Sequence, residues 1–326
     1  MRLVNRINNF INRSKQFNIP VAIAIRKQVL SGVKTPEYIR TISSYMDKEL
    51  KSVINKYKNE QLVYSEKVDR KDQNHVWVCW WQGERNMPEI IRVCYARLKY
   101  YASADNLNLH LITSDNYRNF VEIPDVFIQK YNDHKITMTH LSDILRFLLL
   151  EKYGGYWVDS TVLFTDRIPD KYFSHRLYCQ KMEHYDGYEF RENEASGSRW
   201  CGFSIGGEKH NILFRFINDS FIVYWQNHDY IIDYVLLDSV ILSGYKNVPA
   251  IKALIDSIRD NNEDIFEMRK IINDCYTKDL YNRITKRKVM HKITYKMKLK
   301  KINDKQMLTM YGFIYDETCQ KYDLKS

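Results

Sequence analysis

Between Leu141 and Thr165 the chain reads LSDILRFLLLEKYGGYWVDSTVLFT, and no other stretch limits the fold as strongly. Ile144, Leu145, Leu148 and Leu149 recur at helical spacing, which predicts a helix with one buried face. Thr139 or Ser142 can cap its start, and Gly154-Gly155 supplies the left-handed backbone that stops it. Trp157 to Phe164 is rich in β-branched and aromatic residues and reads as one strand. The same alternation begins upstream. His75 to Trp81 reads as a strand closed by Gln82-Gly83, and Pro88 opens a helix with Ile91, Cys94, Tyr95 and Leu98 inside. Leu107 to Thr113 alternates as a second strand. Strands separated by helices pair in parallel, because a parallel neighbour needs a crossover connection. The expected fold class is therefore α/β, with a mostly parallel, Rossmann-like sheet flanked by helices. Ligands in such sheets sit beyond the carboxyl ends of the strands. That rule gathers Gln82-Gly83, Thr113-Ser114-Asp115 and Asp159-Ser160 at one edge.

The residues near that edge carry chemistry. Asp143 and Arg146, three apart, share a helical face, and Asp159 and Thr161, two apart, share a strand face. An acid on an otherwise apolar strand is a local inconsistency of the kind that marks a site. Taken singly, Asp159 reads equally as a turn residue. Trp80 and Trp81 offer flat faces to a nucleobase, whereas Trp77 reads as core. Gly83 lets the backbone turn sharply or approach a ligand. In order, the chain shows S-D-x-L-R, a helix, G-G, an aromatic and D-S-T. This set resembles the sugar-nucleotide glycosyltransferases that carry D-x-D: yeast-type mannosyltransferases, clostridial glucosylating toxins and, closest, bacterial capsular polysaccharide synthesis proteins. Asp143 and Asp159 are sixteen residues apart, as in the toxin-type enzymes. The likeness takes in WWQG and DNYRNFVEIPD, and spans roughly residues 75 to 245 and the basic stretch near His291.

The resemblance implies a GT-A-like fold and a retaining hexosyltransferase. Its donor would be a nucleotide-sugar, by expectation a UDP-sugar. Its acceptor would be a growing capsular or lipopolysaccharide-type glycan, as polysaccharide or lipid-linked oligosaccharide. Asp143 and Arg146 would bind sugar hydroxyls, with Gly155, Ser160 and Thr161 beside the donor. Asp159 would hold Mn²⁺ or Mg²⁺, which neutralises the departing diphosphate as a Lewis acid. His291 would be the second metal ligand and Lys292 would reach the diphosphate. This chain departs from the motif at Thr161, which stands where D-x-D has its second acid and removes one charge from the metal site. Over HDYIIDYVLLDSVILSGY, helical spacing puts Asp233 on a face with Tyr230, Tyr234 and Leu237. It is expected as a second catalytic acid, though an exposed helix acid reads the same way. A non-catalytic polysaccharide- or membrane-binding assembly protein is the alternative function, and transfer of a hexose phosphate a third.

Apolar and charged fractions of 44% and 28% describe a globular chain. There is no uninterrupted apolar run that could span a bilayer, and the amino terminus lacks the apolar core of a secretory signal. The expected location is the cytoplasm, peripheral on the inner face of the membrane. Six scattered cysteines without a C-x-x-C pair suggest reduced thiols rather than zinc. The net charge of +10 is uneven. Residues 1–58 hold twelve Lys/Arg against three acids, and residues 283–305 hold ten against Asp304 alone. Both stretches read either as solvated basic faces or as a peripheral contact with anionic lipid headgroups, the expected partner, and no nucleic-acid-binding pattern is present. Leu3, Ile7, Phe10 and Ile11, set among Arg2, Arg6, Arg13 and Lys15, make the amino terminus the expected contact. Leu177 to Gln180 and Cys201 to Gly207 read as further strands, with Gly206-Gly207 opening a turn. The expected organisation is a helical basic extension over 1–72, a GT-A-like domain over 73–305 and a tail over 306–326, with the boundary in the charged run at 65–74.

Overall fold

The computed structural model describes residues 14–62, 73–182, 195–286, 288–322 and 324. The expected boundary at 65–74 falls almost wholly outside them, as do Arg2 to Arg13 of the expected membrane contact. The chain opens with helices α1 (Ile19–Ser31), α2 (Pro36–Glu49) and α3 (Lys51–Tyr57), with Pro20 and Pro36 in the first turns of α1 and α2. Then come β1 (His75–Cys79), α4 (Glu89–Ala104), β2 (Asn108–Ile112), α5 (Asp125–Asn132) and α6 (Met138–Tyr153). They are followed by β3 (Gly155–Val158), β4 (Val162–Phe164), β5 (Leu177–Cys179) and β6 (Ser204–Gly207). Next are α7 (Ile212–Asn227), α8 (Leu236–Asn247), α9 (Pro249–Asp256), α10 (Glu267–Ile271) and α11 (Lys278–Thr285). Strand β7 (Met290–Lys292) and helix α12 (Met310–Lys321) complete the described elements.

Among the described residues the main sheet has five strands in the order β2-β1-β3-β6-β5. β1 runs parallel to β2 and β3, and β6 is antiparallel to β3 and β5. This is the mostly parallel, helix-flanked α/β arrangement expected for a GT-A-like fold. From β1 the chain passes to one side for β2, then crosses to the other side for β3. The topological switch point therefore lies between β1 and β3. Alternation along the strands feeds two cores. Trp77, Trp157 and Ile205 pack with residues of α6 and α7, and Val21, Ile42, Met46 and Val53 of the three leading helices join the same core. Val76, Val78, Tyr156 and Val158 face the other way, onto α4 and α12.

Helix α6 starts earlier than expected, capped by Thr137 rather than Thr139 or Ser142: the Thr137 hydroxyl accepts from His140 N at 3.2 Å. Gly154, at φ 68°, ends it as expected. The strand expected from Trp157 to Phe164 is broken at Asp159. Asp159 N donates to Phe203 O at 2.9 Å, and Val162 N donates back to Asp159 O at 2.9 Å, closing a turn. Residues 162–164 leave the main sheet and pair antiparallel with β7, placing Val162 opposite Lys292 and Leu163 opposite His291. Gly206 and Gly207 lie within β6 rather than at a turn.

The approach of β1 to β3 depends on Gly155. It sits at φ 91°, and a Cβ there would stand 2.4 Å from His75 O. Gly83, at φ 80°, has nothing within 4 Å of such a Cβ. Gly155→Ala should therefore separate the strands and cost about 3 kcal/mol or more, while Gly83→Ala should cost only the roughly 1–2 kcal/mol of left-handed backbone. Urea denaturation of both variants checks the ordering, and equal losses would contradict it.

Candidate functional site

A cleft of about 410 Å³ opens at the switch point. Cys79, Trp80, Trp81 and Gln82 enter it from the end of β1, and Met138, Ser142, Asp143 and Arg146 from α6. Trp157, Asp159, Ser160 and Thr161 come from β3 and its turn, and Tyr295 from the chain after β7. The loop after β2 lies at the same sheet edge, where Ser114 N donates to Trp81 O at 3.0 Å, but Thr113-Ser114-Asp115 does not line the cleft. Another cavity, of about 500 Å³, lies between α4 and α12 and shares no lining residue with this one.

Asp159 is the hub. Its Oδ1 accepts from Trp157 Nε1 at 2.9 Å and from Arg146 Nη2 at 3.2 Å. Its Oδ2 accepts from Lys292 Nζ at 2.8 Å, and the same ammonium donates to Thr161 Oγ1 at 2.6 Å. Burial alone would raise the Asp159 carboxyl, but the charges of Lys292 and Arg146 and the hydrogen bonds outweigh it and hold the group below the usual carboxylate range. The β4–β7 ladder explains how Lys292 arrives: Val162 pairs with Lys292, and Ile293 N donates to Thr161 O at 3.0 Å.

Arg146 is almost fully buried, with Nη1 3.1 Å from Asp143 Oδ1 and its guanidinium 4.9 Å from the Trp157 ring centre. The pair assigned to sugar hydroxyls is thus first a clamp, two carboxylates on one guanidinium. His140 extends it. Its Nε2 accepts from Trp225 Nε1 at 2.9 Å, and its Nδ1 faces Asp143 Oδ2 at 3.5 Å. Trp81 is buried and donates to Ser142 Oγ at 2.7 Å, while Gln82 donates to Met138 Sδ at 3.3 Å. Trp80 meets Tyr295 edge to face, ring centres 5.8 Å apart. Tyr295, 46% exposed, is a site residue that the sequence motifs do not include. Its signal was weak: one aromatic three residues after Lys292.

Other expected site residues lie elsewhere. His291 alternates away from Lys292 and is fully buried, with Thr165 Oγ1 3.4 Å from its Nε2. Burial pushes its imidazole down to about 4. Gly155 is at the opposite end of β3 from Asp159, and Gly83 turns the loop after β1, donating to Trp80 O at 2.9 Å. Asp233 is not helical: it precedes α8 and meets Lys34 Nζ at 2.8 Å, Tyr38 OH at 3.1 Å and Val235 N at 3.2 Å. It ties the leading helices to the α7–α8 loop and does not line the cleft.

The expected Mn²⁺ or Mg²⁺ does not fit this donor set as it stands. His291 is turned away, and both Asp159 oxygens are taken by Arg146, Trp157 and Lys292. A divalent ion about 2.1 Å from Oδ2 would lie within about 5 Å of the Lys292 ammonium, where repulsion reaches roughly 7 kcal/mol at an effective dielectric of about 20.

A mostly parallel α/β sheet with a charged cleft at its switch point has the cleft where open sheets of this class bind their ligands. Residues 32–312, most of the chain, match the model of the family described as "Capsular polysaccharide synthesis protein", and the chain belongs to that family. No curated protein matches it in sequence. Among solved structures it is similar to a chain titled "PaToxG Glycosyltransferase", with 12% identity and a TM-score of 0.38 over 76% of this chain and 92% of that one.

The electrostatics of the hub can be tested without a ligand. Because the folded carboxyl of Asp159 titrates below its unfolded value, its contribution to stability is fully present above the ordinary carboxylate range and is lost as pH falls through the folded value. Lys292→Met removes the larger positive neighbour and should move the Asp159 titration upward, as followed by ¹³C NMR of the carboxyl carbon. An unchanged midpoint would mean that Lys292 does not act on Asp159.

Proposed function

We propose that this protein is a glycosyltransferase that moves a hexose, with retention, from a nucleotide-sugar to a growing capsular or lipopolysaccharide-type glycan. The observation that carries the reading is an ionised Asp159 at the switch point, held between Arg146 and Lys292 on the wall of a cleft large enough for a ligand. Membership of a capsular polysaccharide synthesis family supports a glycan product. Trp80 and Tyr295 form an aromatic corner for the nucleobase. Asp143, partly exposed and acceptor-only, suits sugar hydroxyls. In the reaction the bond from sugar C1 to the phosphate oxygen breaks, and its electron pair leaves with the nucleoside diphosphate. The acceptor hydroxyl oxygen bonds to C1, and its proton passes to the departing diphosphate. The acids lining the cleft, Asp143 and Asp159, are both bound to Arg146, which favours departure and attack on one face over a carboxylate nucleophile.

The acceptor reading includes a membrane. Among the described residues no helix is long and apolar enough to cross one. Helix α1 nevertheless exposes Ile19, Ile23 and Leu30, and Arg26 falls on the same stripe at spacings of four, three and four, with Lys27 beside it. An apolar stripe carrying basic residues suits an anionic lipid surface at the level of the headgroups. Basic residues near such a surface contribute about 1 kcal/mol each and lose it as salt rises.

Two outcomes are expected. With a panel of nucleotide-sugars the protein should hydrolyse or transfer from at least one, and Asp159→Asn, which keeps an acceptor for Trp157, should lower turnover about a hundredfold or more, equivalent to about 2.7 kcal/mol. A variant with near-normal turnover would remove Asp159 from the mechanism, and an inert wild type would favour a non-catalytic assembly role. The protein should also sediment with anionic but not neutral liposomes, less so in high salt and after Ile23→Glu with Leu30→Glu. Equal binding to both vesicles, or to neither, would count against the membrane contact.

A further inference from the structure

Thr161 and Lys292 together explain the departure from D-x-D. The Lys292 ammonium lies 2.8 Å from Asp159 Oδ2 and 2.6 Å from Thr161 Oγ1, so it bridges the first and third positions of D-S-T, where the related motif has its two acids. The bridge is built by the backbone, not by a wandering side chain: β7 is registered so that Lys292 pairs with Val162, the residue after Thr161. The side chain is largely buried and lies 4.7 Å from the Phe203 ring centre, and Phe203 O accepts from Asp159 N. An ammonium has three donors. Two are used by Asp159 and Thr161, both of which line the cleft, and a third remains.

We infer that Lys292 is the resident cation of this site, so that the diphosphate of the donor is bound and its departing charge neutralised without a divalent metal. The inference rests on the glycosyltransferase reading and deepens it. Asp159 is then a positioning residue: its carboxylate fixes the ammonium and does not hold a metal. Thr161 completes the seat because a hydroxyl accepts from the ammonium without adding negative charge that the diphosphate would have to overcome. As the C1–O bond breaks, the electron pair left on the phosphate oxygen is met by the remaining N–H of Lys292.

Binding of UDP, GDP, ADP and CDP to the full chain, by isothermal titration calorimetry in EDTA and again in MnCl₂, tests this directly. At least one nucleoside diphosphate should bind in EDTA, and Mn²⁺ should change its affinity by less than about threefold. Lys292→Met should weaken that binding at least tenfold in EDTA, and Lys292→Arg, which keeps the charge, should restore most of it. A nucleoside diphosphate that binds the wild type only with Mn²⁺ overturns the inference and leaves the glycosyltransferase reading standing. A wild type that binds none of the four in either condition overturns that reading, and the inference with it. Wild-type binding in EDTA needs no variant, so misfolding of Lys292→Met would not shield the idea.

Discussion

The carboxylate of Asp159 is shared by three donors from three parts of the chain, and the geometry of the cleft follows from that sharing. Arg146 comes from the middle of α6, Trp157 from β3 and Lys292 from β7. A fourth element is fixed through the backbone, since Asp159 N donates to Phe203 O ahead of β6. A buried guanidinium needs its charge met, because an uncompensated one costs several kcal/mol. Arg146 is met twice, by Asp143 on its own helix and by Asp159 across the cleft floor. Two acids and two bases thus balance to zero, and each holds its neighbour's rotamer. These contacts set the positions of the four charged groups without a ligand.

The part of this arrangement that is local in sequence was legible in it. Asp143 and Arg146 are one helical turn apart, and a glycine pair separates their helix from the strand that ends at Asp159. The strand–helix–strand alternation was enough to place the ends of β1, β2 and β3 at one edge. The long-range part was not legible. The break of the expected strand at Asp159 depends on a hydrogen bond from its N–H to Phe203 O, and the arrival of Lys292 depends on the register of β4 against β7. Strand alternation makes that register decisive: of the adjacent pair His291 and Lys292, only one can face Asp159. The resemblance named both, and the ladder chose the lysine.

Asp233 shows a different kind of illegibility. Its neighbours have helical spacing, but residues 228–235 are held in an irregular loop by specific polar contacts. Tyr224 OH donates to Tyr230 O at 2.6 Å and accepts from Ile232 N at 2.8 Å, while Asp233 Oδ1 accepts from Val235 N at 3.2 Å. An aspartate that satisfies a nearby backbone N–H competes with helix continuation. Periodicity counts apolar positions and does not see a buried tyrosine hydroxyl offering the backbone another partner. The charge of the aspartate is met by Lys34, and neither residue lines the cleft.

Thr161 links the charge balance to the chemistry. With an acid there, Asp143, Asp159 and residue 161 would outnumber Arg146 and Lys292, and the surplus negative charge would favour a divalent ion beside the diphosphate. With threonine, the balance is already zero, which is the charge state the proposed metal-free site requires. A covalently attached ammonium differs from a bound metal in one further respect. It is oriented by Asp159 and Thr161, so in the proposed reaction little reorganisation would be left to occur when charge develops on the leaving phosphate. A single charge stabilises that phosphate less than a double one would, and the burial of Lys292 offsets part of the difference by weakening the screening around it. The hydroxyl at Thr161 and the ammonium of Lys292 therefore form one structural feature, read in two places 131 residues apart.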